Sequence, residues 1–253
     1  MRDQADGLRR LFVGNGVRHI PLVANPHIAM PGLAIERLAA MLLELGQRTL
    51  VVDAADSAPA VAESSALGLA SCVEPLTPQL AYLAARGLPR RYVDTRGSAA
   101  RLLDELCTAS PSSNVILVHA EITDLARIFK HRPARPVLLA ADQPEAVKHA
   151  YAAWKLLAAR CEWLSADLLL LAAPQSPRTP HIAASLAQCA DTFMGAVLKH
   201  WADIDPDGEV PCWPDPALRS LVAAQLELDD ATAPHASSPQ PGPRDAALSA
   251  ARH

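Results

Sequence analysis

The chain has 253 residues and 26.9 kDa, with 50% hydrophobic and 20% charged residues and a mean hydropathy of +0.10, which leaves room for one sizeable core and excludes both a disordered polyampholyte and a membrane-embedded protein. Its 23 basic and 27 acidic residues give a net charge of −4 and a pI near 6.1, so no overall basic field exists to draw in nucleic acid or anionic lipid. The five cysteines (Cys72, Cys107, Cys161, Cys189, Cys212) stand far apart without CxxC spacing, which excludes a zinc knuckle, argues against a disulfide framework and reads each as a small buried hydrophobe.

At the N-terminus, residues 3–12 read Asp-Gln-Ala-Asp-Gly-Leu-Arg-Arg-Leu-Phe, and Gly14, Asn15 and Gly16 cut them off from the first apolar run. Asp3 can cap a short helix with Leu8, Leu11 and Phe12 on one stripe beside Arg9 and Arg10. A glycine-containing helix of about ten residues is marginal in water, so this element either packs on its own domain or orders on a partner. Asp3, Gln4 and Asp6 stand where a signal peptide needs a basic start and an apolar run, and no apolar stretch approaches the ~18 residues of a membrane span. The expected location is the cytoplasm.

From residue 17 apolar runs suited to buried strands alternate with segments of helical periodicity, the pattern of an α/β domain with a mostly parallel sheet. Strands are predicted at 17–24, 49–53, 91–94, 114–119, 136–140, 167–173 and 192–198, and helices at 31–45, 78–85, 98–107, 121–130, 144–160 and 180–189. The first helix has Pro31 near its start and Gly46 just past its end, with Leu38, Met41, Leu42 and Leu45 as its core-facing stripe. Trp154 and Trp163 read as core. Residues 216–228 place Leu218, Leu221, Val222, Leu226 and Leu228 at helical spacing, and the acidic Glu227, Asp229 and Asp230 argue against lipid and for a helix covering the domain's own core. After Leu228 the composition turns to Ala, Pro, Ser, His and Gly, which cannot offset its ordering entropy. The expected division is a helix and turn at 1–16, an α/β domain at 17–228 and a disordered tail at 229–253.

Three stretches carry a family resemblance. Asp3, Gln4, Ala5, Leu8 and Arg9 spell Asp-Gln-Ala-x-x-Leu-Arg. Gly46-Gln47-Arg48-Thr49-Leu50-Val51-Val52-Asp53-Ala54 is similar to a "G-x-x-V-L-L-V-D-A-D" second strand, and 140–145, followed by Ala150, Tyr151 and Lys155, to a "T-x-P-E" segment and its helix. Over roughly residues 18–200 the chain resembles the flagellar-number regulators called FlhG, FleN or YlxH, of the MinD/ParA group. The resemblance implies a single doubly wound, mostly parallel sheet flanked by helices, of P-loop NTPase type. It further implies an N-terminal activator helix that docks on an FlhF-type, signal-recognition-like GTPase through Asp3, Gln4, Ala5, Leu8, Arg9, Leu11 and Phe12. Gln4 would serve in trans, since a glutamine amide can orient an attacking water and donate to the developing phosphoryl charge. Flagellar basal-body proteins and transcriptional regulators are further candidate partners, and a position at the cell pole would come through the partner.

Active members of the group carry K-G-G-x-G-K-[ST] between first strand and first helix, where backbone N–H groups wrap the phosphates, lysines neutralise them and a hydroxyl holds magnesium. Residues 23–34 here read Val-Ala-Asn-Pro-His-Ile-Ala-Met-Pro-Gly-Leu-Ala, and the first lysine in the chain is Lys130. Pro26 and Pro31 each delete a donor, and Ile28 and Met30 put side chains where only glycine lets a phosphate close. Asn25, Pro26, His27, Met30, Pro31 and Gly32 therefore read as a degenerate nucleotide loop. Val118 to Asp124 replaces the "D-x-G/A-G" switch, and the strand at 167–173 lacks the family's terminal asparagine. Asp53 is the residual family position. Ordered as in the family, the strand ends gather Asp53, Asp56, Glu121, Asp124, Asp142 and Glu145, with Arg96 the nearest basic residue in sequence, a field that repels a triphosphate.

The expectation is a pseudo-ATPase without ATP, magnesium or another metal, with no direct nucleic-acid contact and no stable membrane binding. Three alternatives stand beside it: a ParA-like accessory protein of another polar or surface-polymer system, an ATP-switching MinD-like regulator with an atypical loop, and a metal-dependent enzyme built on His27, Asp53, His119 and Glu121. Arg86, Arg90, Arg91, Arg96 and Arg101 form a basic stretch that could contact an acidic partner, though a solvated face is the commoner meaning of such a run.

Overall fold

The structure is a computed structural model describing residues 16–61, 68–173, 176–208 and 215–227. The activator-helix residues Asp3, Gln4, Ala5, Leu8, Arg9, Leu11 and Phe12, and the tail at 229–253, lie outside the described residues.

Among the described residues eight strands make one sheet: β1 (Arg18–Val23), β2 (Thr49–Asp53), β3 (Glu74–Thr77), β4 (Leu80–Ala84), β5 (Val115–Ala120), β6 (Val137–Ala141), β7 (Ser165–Leu171) and β8 (Val197–Ile204), in the order β3-β4-β2-β5-β1-β6-β7-β8. Only β3 runs antiparallel to its neighbour; the other pairs are parallel. Between and after them lie α1 (Pro31–Glu44), α2 (Leu88–Arg91), α3 (Arg101–Ala109), α4 (Ile122–Ile128), α5 (Pro144–Cys161), α6 (Arg178–Met194) and α7 (Pro216–Leu226).

The central strands are continuous apolar runs because helices cover both of their faces. Along β5, Val115 and Leu117 point to one core and Ile116 and Val118 to the other, the alternation a strand imposes. One core packs Leu38 and Leu42 of α1 and Leu221 and Val222 of α7 on Leu22, Val51 and Leu139. The opposite core packs Leu102 and Leu106 of α3, Ile128 of α4, Trp154 of α5 and Leu186 of α6 on Val52, Leu83 and Leu170. Each such side chain contributes on the order of 1.5–3 kcal/mol. The chain winds one way from β1 to β4 and the other way from β5 to β8, so the carboxyl ends of β1 and β5 form the switch point where sheets of this kind hold their sites.

The start and stop signals of α1 hold: Pro31 opens it, and Gly46, at φ +74°, donates to Leu43 while Gln47 donates to Leu42, a left-handed helix stop. Both tryptophans are buried, and Trp154 Nε1 donates to the Trp163 carbonyl at 3.1 Å. Helix α7 covers the core with Leu218, Leu221 and Val222. Among the described residues no helix is long and apolar enough to cross a membrane.

Several predicted elements differ. The helix expected at 78–85 is β4, and the β3–β4 hairpin went unpredicted. Thr49 of β2 pairs with Leu80, and this ladder outweighs local propensity. Strand β3 contains Pro75 and lies at the sheet edge beside a register irregularity, where proline is tolerated. The strand expected at 91–94 is instead the end of α2 and an Asp94 turn, whose Oδ1 accepts from the backbone N–H groups of Arg96 and Ser98 at 2.8 Å each. The segment at 192–198 straddles two elements: α6 continues to Met194, Gly195 stops it at φ +60°, and β8 begins at Val197. Cys189 is exposed on the outer face of α6, so the reading of every cysteine as buried fails there; Cys72 is buried, Cys107 and Cys161 are half-buried, and Cys212 lies outside the described residues.

Candidate functional site

Strand β1 delivers the chain to a turn at the switch point. There Asn25 is buried and fully engaged: its Nδ2 donates to the carbonyls of Leu139 (2.8 Å) and Ala146 (2.9 Å), and its Oδ1 accepts from the His27 N–H at 3.1 Å. Ile28 N donates to the Asn25 carbonyl at 3.2 Å, closing the turn, and the Ile28 side chain enters the core under α1. The Asn25 amide thus pins the loop to β6 and to the first turn of α5. Pro26, His27, Met30 and Gly32 are exposed and Pro31 is half-buried. Met30 caps α1 without a side-chain hydrogen bond, and no atom lies within 4 Å of the Cβ position of Gly32. No close approach requires a glycine there.

Beside the loop, the β2–β5 register sets Asp53 against His119. Asp53 Oδ1 lies 2.8 Å from His119 Nδ1, and Tyr82 of β4 donates its hydroxyl to Asp53 Oδ2 at 3.4 Å. Burial, then the Asp53 charge, pushes the Tyr82 hydroxyl up to about 12. His119 is only 1% exposed, and its Nε2 has no hydrogen-bond partner among the described residues. A carboxylate on one imidazole nitrogen fixes the ring so that the other can accept a proton or a ligand.

A second histidine pair forms across the loop. The rings of His27 and of His149 on α5 meet edge to face with centroids 5.7 Å apart. Burial lowers the pKa of His149, as does the neighbouring His27, against the opposing pull of Glu121 and the Ala24 backbone. Of the four residues weighed as a metal set, Asp53 pairs with His119, His27 meets His149 from outside the set, and Glu121 joins neither pairing. Among the described residues, no group of three or more histidines, cysteines or carboxylates is placed to hold a metal ion.

The carboxylates gathered by the strand ends are less bare than the sequence implied. Lys148 donates to Glu145 at 2.8 Å, Arg127 to the buried Asp124 at 3.0 Å, and Arg90 stands 4.0 Å from Asp56. These cations, and not Arg96, are the basic neighbours; the Arg96 carbonyl instead accepts from Lys130. Sequence reading missed Lys148, although the helix predicted at 144–160 already set it three residues after Glu145 on one face.

It also missed Tyr82 and His149. Tyr82 lay in a segment assigned to the wrong element. His149 had a faint signal, falling between Ala146 and Ala150 on the buried face of α5, where a polar ring needs a reason.

No protein-family model matches the sequence, and no curated protein matches it. Solved structures do. The MinD cell division protein of Aquifex aeolicus superposes with a TM-score of 0.54 at 10% identity, covering 83% of this chain and 96% of that one. The chain has a MinD-type fold. A putative plasmid partition protein from Borrelia burgdorferi, bound to AMPPNP, gives 0.57 at 9% identity over 83% of this chain and 98% of its own. Cobyrinic acid a,c-diamide synthase from Mycobacterium smegmatis, with bound ATP analog and magnesium, gives 0.55 at 14% identity over 83% and 94%. At these identities the likeness is one of fold. The MinD-type fold puts Asn25, Asp53 and His119 at the switch point.

Proposed function

We propose that this chain is a non-hydrolysing, FlhG-like regulator of flagellar assembly or number, a scaffold on a MinD-type body whose N-terminal helix binds an FlhF-type GTPase and raises that partner's GTP hydrolysis. The observation that carries the non-catalytic half is the Asn25 clamp. The loop's one buried amide is spent on the carbonyls of Leu139 and Ala146, in a stretch with two prolines and a chain with no lysine before Lys130. A magnesium triphosphate, which a fold of this type implies, needs free N–H donors, a cation and a hydroxyl. Asp53, the residual carboxylate, is occupied by His119 and Tyr82. The residues present do not fit the group.

The partner half rests on the Asp-Gln-Ala-x-x-Leu-Arg resemblance at Asp3 to Arg9. Gln4 acts on the partner's attacking water, while Leu8, Leu11 and Phe12 supply the docking stripe. Two measurements test the reading. Equilibrium titration with labelled ATP and magnesium should give no micromolar binding; a micromolar Kd refutes the pseudo-ATPase. With a purified FlhF-type GTPase, Gln4→Ala should reduce stimulated hydrolysis by about 10²-fold or more, the lower end of what a side chain positioned on the reacting water supplies, and weaken binding far less. Deletion of residues 1–12 should abolish both. Unchanged stimulation in either variant refutes the adaptor role.

A further inference from the structure

At the amino ends of β6, β7 and β8, opposite the switch point, lies a cleft of about 720 Å³ lined by His131, Arg132, Arg160, Glu162, Leu164 and Lys199, among others. Its volume falls in the range of small-ligand sites. Basic side chains outnumber the single carboxylate, Glu162.

Helix electrostatics account for only part of that charge. Arg160 sits in the last turn of α5, where a cation offsets the negative helix end, but this effect fades within one turn. Lys199 projects from β8, and His131 and Arg132 belong to the segment leading into β6. Arg132 reaches Asp104 at 3.3 Å, with both side chains largely exposed, a contact of the weak class that a ligand can replace.

Backbone conformation points to the same place. Among the described residues, His131 (φ +64°) and Glu162 (φ +59°) are the non-glycine residues with positive φ, and both line this cleft. A side chain in the left-handed region is strained, and Gly195, also in the cleft at φ +60°, shows the unstrained solution. The floor is rigid: Trp163 donates from Nε1 to the Arg132 carbonyl at 3.1 Å and meets Phe129 edge to face at 5.6 Å. The wall is apolar, with Leu164 and Val197 exposed by 49% and 47%.

We propose that this cleft binds a small organic phosphate, its phosphoryl oxygens on Arg160, Lys199 and Arg132 and its apolar body over Leu164 and Val197. Guanidinium forks match phosphate geometry, and the two exposed aliphatic chains give the rest of the molecule a surface. The site is independent of the loop after β1.

The test is calorimetric titration of the full chain with phenyl phosphate, inorganic phosphate and phenol, repeated on Arg160→Gln/Lys199→Gln. Phenyl phosphate should saturate with a submillimolar Kd, inorganic phosphate should bind more weakly and phenol not measurably. The double variant, with unchanged melting temperature, should bind phenyl phosphate at least about tenfold more weakly, or 1.4 kcal/mol. Co-sedimentation with phosphatidic acid vesicles in phosphatidylcholine separates the sources: pelleting lost in the double variant names a lipid headgroup, and protein left in the supernatant names a soluble ligand. Failure of phenyl phosphate to saturate by about 10 mM, far above a useful Kd, or equal affinity in the double variant, overturns the proposal. So does a variant that melts lower while the parent shows no binding, which assigns the cations to the helix ends alone.

Discussion

Two carboxylates on interior strands, Asp167 and Asp53, each have an imidazole beside them, and they differ in how completely their oxygens are matched. Asp167 is fully buried and accepts four contacts: Arg135 Nε (2.9 Å), Gln225 Nε2 (2.8 Å), the His200 N–H (3.0 Å) and His200 Nδ1 (3.3 Å). Gln225 also donates to the Arg135 carbonyl at 3.0 Å, so the group ties the end of α7 to β7 and to the lead-in of β6. Asp53 has two contacts, to His119 and Tyr82, and His119 Nε2 is left over. The amino end of the sheet is a clamp built from several elements. The carboxyl end keeps a smaller polar group with one buried nitrogen unmatched.

The largest expected effect tests the clamp. Asp167→Ala leaves Arg135 buried without its carboxylate and should cost about 3–5 kcal/mol in urea unfolding. Arg135→Met combined with Asp167→Leu should recover most of that loss, because a well-packed apolar pair replaces a buried ion pair at little cost. If Asp53→Ala costs as much as Asp167→Ala, the two ends do not differ in kind.

Next comes the loop. Asn25→Ala strips partners from the Leu139 and Ala146 carbonyls and should cost about 1–3 kcal/mol, the penalty for unpaired buried polar groups. Hydrogen exchange should rise at His27 and Ile28 in the same variant. An unchanged urea midpoint shows that water replaces the amide and that the clamp does not hold the loop. A smaller effect is expected at His119. His119→Leu removes an imidazole that already carries an unpaired nitrogen, and the Asp53 it leaves keeps the Tyr82 hydroxyl and some contact with water, so the loss should stay below about 1 kcal/mol. A loss comparable with that of Asn25→Ala shows that Nε2 has a partner in solution.

The parallel sheet was legible because the buried strands, such as Val115 to Val118 and Leu168 to Leu171, are apolar on both faces, and because Pro31 and Gly46 mark α1 unmistakably. The β3–β4 hairpin was not, since β3, with Pro75 and exposed residues, owes its pairing to β4, itself held by the ladder to β2, and not to any pattern of its own. The site was half legible. Asn25, His27 and Asp53 were singled out by position along the chain. Their contacts were not, because Asp53 with His119, and His27 with His149, meet through register and helix placement that spacing does not encode. The same limit hid the Asp167 group, whose members come from positions as far apart as Arg135 and Gln225.

The smallest expected effect is on pH dependence, and its sign follows from the second histidine pair. Burial first, and then His27, hold the pKa of His149 below its ordinary 6.5, and the Glu121 charge and the Ala24 backbone do not offset them. The unfolded chain therefore takes up this proton more readily than the folded one. The stability tied to neutral His149 is complete above pH 6.5 and is lost as the pH falls through the depressed folded value. One proton sets the ceiling, about 1.4 kcal/mol per pH unit. Urea midpoints of the parent should fall between about pH 7.5 and 5.5, the window in which histidine titrates, and His149→Gln should fall less over the same interval. Because His27 supplies part of the repulsion from an exposed position on the loop, His27→Gln should give an intermediate slope. Equal slopes in all three proteins place the acid sensitivity elsewhere and remove the loop as a pH-responsive element.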